Sequence, residues 1–473
     1  MNGRPLGLRA HGARILLAPL VAALAYFAFP AVPEHAGAAF PGLGTFGLNA
    51  LMLALFGAML LFFRPEIYRS FRSVVFFAVG CGAVLVAAGV LARYSPPHIE
   101  LIPIALPTFL FAVLFDGRIA AVAAMSLAAL IGSQPAFAGT DALAFCFVGG
   151  VAAALSLRRI RSRTQAYSFI LIVGAIYAAA AAVSGFAGQE SLESIGVSAA
   201  LGGVNALGSA ALAMLLLPLA ESFTNSTTDL RLLELSDPSH PLLRRLASEA
   251  PGTYAHSVAM ANLCEAACNA IGANGLLARV GCYYHDVGKL RNPGYFVENQ
   301  GRARSPHAQL TPEQSAEVIR RHVDDGLALA RQYRLPEVIQ QFIPMHHGTQ
   351  EIRYFLERQR ESHPGAPENG AAFTYPGPLP RSAETAVALL ADSVEAALRV
   401  LDEPTSETIE DAITHLVTSR VEAGQLREAP LTLRQIDTVR GAFVKMLAGM
   451  HHNRVEYPED AGGITADWEV PRS

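Results

Sequence analysis

A chain of 473 residues that is 52% hydrophobic and only 16% charged, with a mean hydropathy of +0.32, is too apolar to be soluble along its whole length. Its net charge of −4 and pI near 6.4 are mild and remove any general electrostatic case for binding DNA or RNA. The apolar excess is confined to roughly the first 220 residues, while residues 221–473 hold most of the charged side chains and eleven of the fourteen histidines, so two bodies with different solvents are expected.

Apolar runs at about 15–32, 43–63, 74–92, 101–115, 119–137, 142–157, 167–187 and 196–220 predict eight membrane spans, of which 101–115 and 142–157 are the shortest. The DGR turn at Asp116–Arg118 joins 101–115 to 119–137 as a helical hairpin. Arg4, Arg9 and Arg14 precede the first span; Arg64, Arg69 and Arg72 follow the second, Arg118 the fourth, and Arg158, Arg159, Arg161 and Arg163 the sixth. Every second connection is therefore basic, which predicts both termini in the cytoplasm and an even number of spans. The first span lacks a clear small-x-small cleavage site and is expected to be a retained anchor. Asn49 and Asn205 lie within the spans, but no Asp, Glu, Lys, Arg or His does, which argues against ion-coupled transport. The five cysteines form no CxxC pair and do not suggest a disulfide framework, so a reducing compartment suits the C-terminal half.

After Pro218 the chain turns polar, and TTDLRLLELSDPSHPLLRRLASEAPG predicts an amphipathic linker broken at Asp237-Pro238. From Thr253 onward helix punctuation is frequent and strand-like alternation scarce: Pro312, Pro336, Ser382 and Thr432 each precede or open an apolar-periodic run. The second body is expected to be all-α, with an irregular Pro/Gly-rich insertion at 360–381 and a frayed tail at 457–473.

His256 shares a helical stripe with Met260, Leu263 and Ala267, and His322 shares one with Ile319, Val323, Gly326 and Ala330. Asp392 lies on the stripe of Ala388, Leu389 and Ala396, where an unpartnered carboxylate would cost several kcal/mol. With His285-Asp286 and His346-His347 these make seven N/O donors on five predicted helices, too many for one metal ion. Adjacent donors stand about 100° apart on a helix, so each doublet can serve two sides of a cluster. A single such histidine would be read as a hydrogen-bonded core residue, and the Cys264/Cys268 pair is read that way.

His256, HDVGK at 285–289, His322, HHGT at 346–349 and LADSVEA at 390–396 follow the order of HD-domain metallophosphohydrolases. The longer stretches TTDLRLLELSDPSHPLLRRL, EAPGTYAHS, YYHDVGKLRNPGYFVENQ, FTYPGPLPRSAETA and GQLREAPLTLRQI resemble the seven-transmembrane HD-domain family of PgpH-type cyclic di-AMP phosphodiesterases, over about residues 40–457. The resemblance implies an all-α chain: a polytopic transmembrane helical bundle followed by a cytoplasmic all-helical HD-type metallophosphohydrolase domain. The segments expected are 1–42 (N-terminal segment, first span and short external loop), 43–220 (seven-helix membrane domain), 221–252 (linker helix), 253–456 (phosphodiesterase domain) and 457–473 (tail). It implies two divalent ions, iron or manganese, one held by His256, His285, Asp286 and Asp392, the other by Asp286, His322, His346 and His347, with Asp286 shared.

Two-metal sites favour phosphodiester hydrolysis without a Ser or Cys nucleophile. Asp286 and Lys289 are the catalytic candidates, Lys289 as an ammonium for a phosphate oxygen. Lys289, Arg291, Tyr295, Tyr375 and Arg381 are candidate substrate contacts, and Phe296 and Phe373 add aromatic faces that could stack on a purine or simply pack a loop. The expected partners are a cyclic dinucleotide, the lipid bilayer of a bacterial inner membrane and, compatibly, a second copy in a homodimer. Alternatives are a cyclic di-GMP phosphodiesterase, another nucleotide phosphohydrolase, or a non-enzymatic nucleotide receptor. HHGTQEIRYF carries no GYP element, which disfavours the first of these. Family members usually carry a large extracytoplasmic domain after the first span; here only about ten residues (33–42) are expected there.

Overall fold

Apolar helices dominate the first half of the computed structural model, which describes residues 8–29, 43–94, 98–157, 163–300, 305–363, 370–399 and 405–452. The expected external loop at 33–42, the basic residues Arg4, Arg158, Arg159 and Arg161, part of the 360–381 insertion and the 457–473 tail lie outside the described residues. The chain divides into two compact units, Met1–Glu234 and Leu235–Ser473, a boundary that falls within the stretch read as a linker.

In the first unit the eight apolar stretches are helical: α1 (Leu17–Ala28), α2 (Leu43–Phe63), α3 (Phe71–Leu91), α4 (Ala105–Leu114), α5 (Gly117–Gly132), α6 (Ala142–Ser156), α7 (Arg163–Ala187) and α8 (Leu192–Thr224). Among the described residues, only α2, α3, α7 and α8 are long and apolar enough to cross a membrane. With ten residues, α4 extends about 15 Å, half of a hydrocarbon core of about 30 Å. Among the described residues, all exposed large hydrophobics except Val297, Tyr354 and Leu433 belong to this unit, as a lipid-facing surface requires.

Local chemistry explains the breaks between these helices. Asp116 caps α5 by accepting from the Arg118 amide at 2.6 Å and binds Arg64 Nη2 at 2.6 Å, which fixes the α4–α5 hairpin. Before α4 the chain carries Pro103, and Asn205 of α8 donates to the Glu100 and Ile102 carbonyls at 2.7 and 2.8 Å. Ser209 completes that amide by donating to Asn205 Oδ1 at 2.9 Å. In apolar surroundings such carbonyls need a donor, so Asn205 has a structural task. The sequence placed the end of the last span near 220, but α8 runs through Pro218 to Thr224 and stops where Asn225 turns left-handed at φ 54°.

The first unit ends within a short helix, α9 (Asp229–Leu235), and the second opens with another, α10 (Pro241–Glu249); the two helices are separated at Asp237-Pro238 as expected. The body of the second unit comprises α11 (Pro251–Ala270), α12 (Gly275–Tyr284), α13 (Pro312–Gln332), α14 (Phe342–Met345), α15 (Arg353–Ser362), α16 (Ala383–Leu398), α17 (Ser406–Glu422) and α18 (Leu433–His452), with short 3₁₀ turns between them. No strand occurs among the described residues; Glu351 and Thr374 form an isolated antiparallel bridge. Capping boxes at Thr311/Gln314, Ser382/Thr385 and Thr405/Thr408 set where α13, α16 and α17 begin. All five cysteines are buried free thiols.

Candidate metal centre

Five helices deliver the seven donors. His256 projects from the face of α11 that buries Met260, Leu263 and Ala267, and His322 is buried on α13. The two doublets do not sit within helices, as the sequence argument assumed, but where helices end. His285 is the C-cap of α12 and Asp286 opens the 3₁₀ turn Val287–Arg291; His346 is the C-cap of α14, and the chain leaves His347 through Gly348 at φ +53°. A side chain at Gly348 would also meet the buried Gln425 amide, which accepts from the Thr349 amide at 3.0 Å and donates to Thr349 Oγ1 at 3.1 Å. Asp392 projects from α16, but Ala396, placed on its stripe from the sequence, is exposed: Asp392 stands at the rim of the buried face.

The donors converge in two groups. Asp286, His322, His346 and His347 each offer an atom within 4.8 Å of the others, and so do His256, His285 and Asp392. Asp286 faces both sets. Its Oδ2 lies 3.2 Å from His285 Nε2 and 3.7 Å from His256 Nε2, and its Oδ1 lies 3.4 Å from His322 Nε2 and 3.6 Å from His346 Nε2. Asp392 spans a similar gap, with Oδ1 3.3 Å from His256 Nε2 and Oδ2 3.5 Å from His347 Nδ1.

Outer contacts fix which nitrogen points inward. Nδ1 donates to the Cys282 carbonyl in His285 (2.7 Å), to Ile319 in His322 (2.6 Å) and to Phe342 in His346 (3.1 Å). His256 Nδ1 donates to Glu395 Oε2 at 2.7 Å, and Arg399 holds that carboxylate at 2.7 and 2.9 Å. The inward atoms Nε2 of His285, His322 and His346 and Oδ1 of Asp286 are buried with no hydrogen-bond partner. Buried polar atoms left without partners carry a desolvation penalty that cations would remove, so the donor set fits two divalent ions.

Electrostatics agree. Burial pushes His322 below its ordinary value, His346 down to about 3 with help from His285, and His347 well down with help from His346. These rings are neutral lone-pair donors at pH 7. Burial alone would raise Asp286, but His285, Lys289 and His322 outweigh it and hold the carboxyl well below its usual range. His256 behaves differently: burial pulls it down, yet the Asp392 and Glu395 carboxylates prevail and raise it to about 10.

Residues 39–228 match the family described as a 7TM receptor with intracellular HD hydrolase, and residues 253–397 match the HD domain. The two matches stand in the order that the first model's description names, a 7TM segment followed by an HD hydrolase. A cyclic-di-AMP phosphodiesterase PgpH of Bacillus subtilis is 34% identical over 86% of this chain and 59% of its own length. The protein of the same name from Listeria monocytogenes is 42% identical over 52% of this chain and 34% of its own. The crystal structure of the Listeria PgpH HD domain in complex with cyclic-di-AMP is 41% identical and covers 46% of this chain and all of that one, with a TM-score of 0.44. The chain thus spans about three-fifths or less of the length of these two curated relatives.

Around the seven donors of this HD-domain protein, the remaining sequence candidates take different positions. Lys289 Nζ lies 2.7 Å from both Asp286 Oδ2 and Glu298 Oε1 and 5.0 Å from the centre of the Phe296 ring. Tyr375 is buried and stacked on His347 at 4.1 Å; Phe296 meets His322 edge-on at 5.9 Å. Tyr295 is half-buried against His307 at 5.2 Å, and Phe373 belongs to a small core with Ala316, Phe355 and Leu356. Arg291 is exposed, and the exposed Arg381 pairs with Glu428 at 3.1 Å. Three supporting residues escaped the sequence reading: Glu395, Glu298 and Gln425. Glu395 stands one helical turn after Asp392, a spacing that signals a shared face. Glu298 lies in the quoted YFVENQ stretch and also accepts from Thr253 Oγ1 at 3.0 Å, tying that stretch to the start of α11.

Proposed function

We propose that this chain is a membrane-anchored, two-metal phosphodiesterase that hydrolyses cyclic di-AMP to linear pApA. The observation that carries the reading is the convergence of buried His and Asp atoms, four of them partnerless, into two groups with the Asp286 carboxylate facing both. A pair of divalent ions, iron or manganese, when bound, supplies Lewis-acid activation of water and charge stabilisation at phosphorus. His256, His285, Asp286 and Asp392 would hold one ion, and Asp286, His322, His346 and His347 the other. Backbone carbonyls and Glu395 aim the rings by accepting from Nδ1. Lys289 keeps Asp286 ionised and presents an ammonium to a phosphate that reaches the rim; Tyr375 holds the His347 ring. Cyclic di-AMP is favoured by the names of the two curated relatives and by the absence of a GYP element. The alternating basic connections support a phosphodiesterase domain on the cytoplasmic face of a bacterial inner membrane. The segment boundaries 43–220, 221–252 and 253–456 and the homodimer belong to the same proposal.

The test is product analysis of the full-length protein in detergent, loaded with Mn²⁺ or Fe²⁺ and given cyclic di-AMP, cyclic di-GMP and the linear dinucleotides separately. pApA as the product, with a preference for cyclic di-AMP over cyclic di-GMP well above tenfold in kcat/KM, is expected. Equal rates on the two cyclic substrates would overturn the base assignment, and no product from any of them would overturn the activity.

A further inference from the structure

A cavity of about 310 Å³ lies in the first unit between α1, α2 and α3. His11 and Arg14 also line it, from the helix Leu8–Ile15, which runs on toward α1 as the Leu16 amide donates to the Gly12 carbonyl at 3.1 Å. So does Tyr68 of the short helix Pro65–Arg69 between α2 and α3. The lining is sorted by polarity. His11, Arg14 and Tyr68 make one end, and the walls beyond them are apolar as far as Val21, Leu53 and the Cys81 thiol.

Charge, depth and access together define what fits there. Residues 8–15 and 64–74 hold five arginines and a single carboxylate, Glu66, which Arg64 engages at 3.3 Å. Arg14 is only 8% exposed. Its Nε and Nη2 donate to the Tyr68 and Arg69 carbonyls at 2.7 and 2.6 Å, and its guanidinium lies over the Tyr68 and Phe71 rings at 5.7 and 5.6 Å. Carbonyls and ring faces orient the cation without cancelling its charge, and a charge so far from water favours an anion beside it. His11 stands against Tyr68 at 5.8 Å, and its ring makes no hydrogen bond among the described residues. From His11 to Val21 the helical path rises about 15 Å, half of a hydrocarbon core of about 30 Å, so the cavity has the reach of one leaflet. Ile15 lines the cavity yet is 63% exposed, and Leu16 and Leu20 near it are exposed as well, so the cavity opens sideways onto a surface built for acyl chains.

We propose that this cavity binds one anionic phospholipid, with an acyl chain along the apolar walls and the headgroup phosphate at His11 and Arg14. Arginine suits that headgroup because its planar fork makes charge-assisted hydrogen bonds to phosphate. A water-soluble anion would gain nothing from the apolar walls, and a neutral lipid nothing from the cationic end. The proposal goes beyond the phosphodiesterase reading and does not depend on it.

Native mass spectrometry of the full-length protein in detergent, titrated with dioleoyl phosphatidylglycerol and with dioleoyl phosphatidylcholine, reads the site. One phosphatidylglycerol per chain should be retained, with an affinity at least fivefold above that of phosphatidylcholine. Arg14→Gln should bring the two within about twofold. Arg118→Gln, the same loss of charge on an exposed side chain that does not line the cavity, should leave the ratio unchanged. Gly57 lines the cavity and a Cβ there meets nothing within 4 Å, so Gly57→Leu fills the space without a clash at Cβ. It should weaken both lipids at least tenfold, and it decides the matter if Arg14→Gln fails to fold. A wild-type ratio near one, an equal loss of preference in Arg118→Gln, or undiminished binding in Gly57→Leu would each overturn the site. A lipid-free dimer that is lost in Gly57→Leu would overturn it too, by giving the cavity to a second copy of the chain.

Discussion

The membrane unit and the HD unit treat buried polarity in opposite ways. Among the described residues, eleven buried side-chain atoms lack a hydrogen-bond partner, and only Asn49 Nδ2 belongs to the first unit. There, Asn205 closes two backbone carbonyls and is itself closed by Ser209, while Asn49 Oδ1 accepts from Gln134 at 3.2 Å. In the second unit the partnerless atoms are concentrated, and four of them point into one space. A lipid-facing bundle satisfies its polar atoms internally because nothing else can. A reactive centre leaves them open for something that arrives, so the distribution of unmet hydrogen bonds marks where chemistry is expected without reference to any motif.

The largest break in this contrast comes from Asp286→Ala, which removes the carboxylate facing both donor groups. Turnover should fall by at least about 10³-fold and metal content toward zero, while the helical circular dichroism and the detergent-extracted yield stay at wild-type levels. Elemental analysis with steady-state kinetics reads the first two; activity above about 1% of wild type would exclude a shared ligand.

Glu395→Gln sharpens the comparison between the two donor groups. It should weaken binding at the His256 group by about 10- to 100-fold in chelator competition, with the His322 group less affected. The pH dependence carries a sign. His256 is raised to about 10, so its proton stabilises the metal-free fold fully below its ordinary value of 6.5, and that contribution is lost as pH rises through about 10. A cation held by the His256 group competes with the His256 proton. Affinity at this group should therefore rise about tenfold per pH unit between 7 and 9. A flat profile, or a slope of two or more, would contradict the assignment of charge.

The smallest effect tests the other unit. Asn205→Ala should cost about 1 kcal/mol in thermal stability of the detergent-solubilised protein, by comparison with other hydrogen bonds inside membranes. kcat and metal content should not change. A loss of metal would mean that the two units are not independent in this respect.

The seven donors and the helices that carry them were legible because helical periodicity places apolar neighbours on one face, as at His256, and because HD and HHGT are dense local signals. The helix ends beneath both doublets were less visible. Gly348, one residue beyond His347, is the kind of residue that closes a helix, and it could have been read so. For His285 the end depends on a 3₁₀ turn that no single residue announces. Carbonyl partners for Nδ1 cannot be seen in side-chain identities, and Glu395 looks like any solvated glutamate until α16 is packed against α11. The aromatics were the most ambiguous: Tyr375 and Phe373 stand two positions apart in FTYPGPLPR, yet one stacks on a donor ring and the other fills a small core.

Gly288, inside HDVGK, has a consequence for the spacing of the two donor groups. A Cβ there would overlap the His322 carbonyl and come within 2.5 Å of the Gly326 amide nitrogen, so the turn after Asp286 rests directly on the main chain of α13. The carboxylate that faces both groups and His322 are therefore gauged by peptide against peptide, with no flexible side chain in between. Rotamer motion cannot widen such a joint, and heating should loosen the rims of the centre, at Asp392 and His347, before it changes the distance from Asp286 to His322.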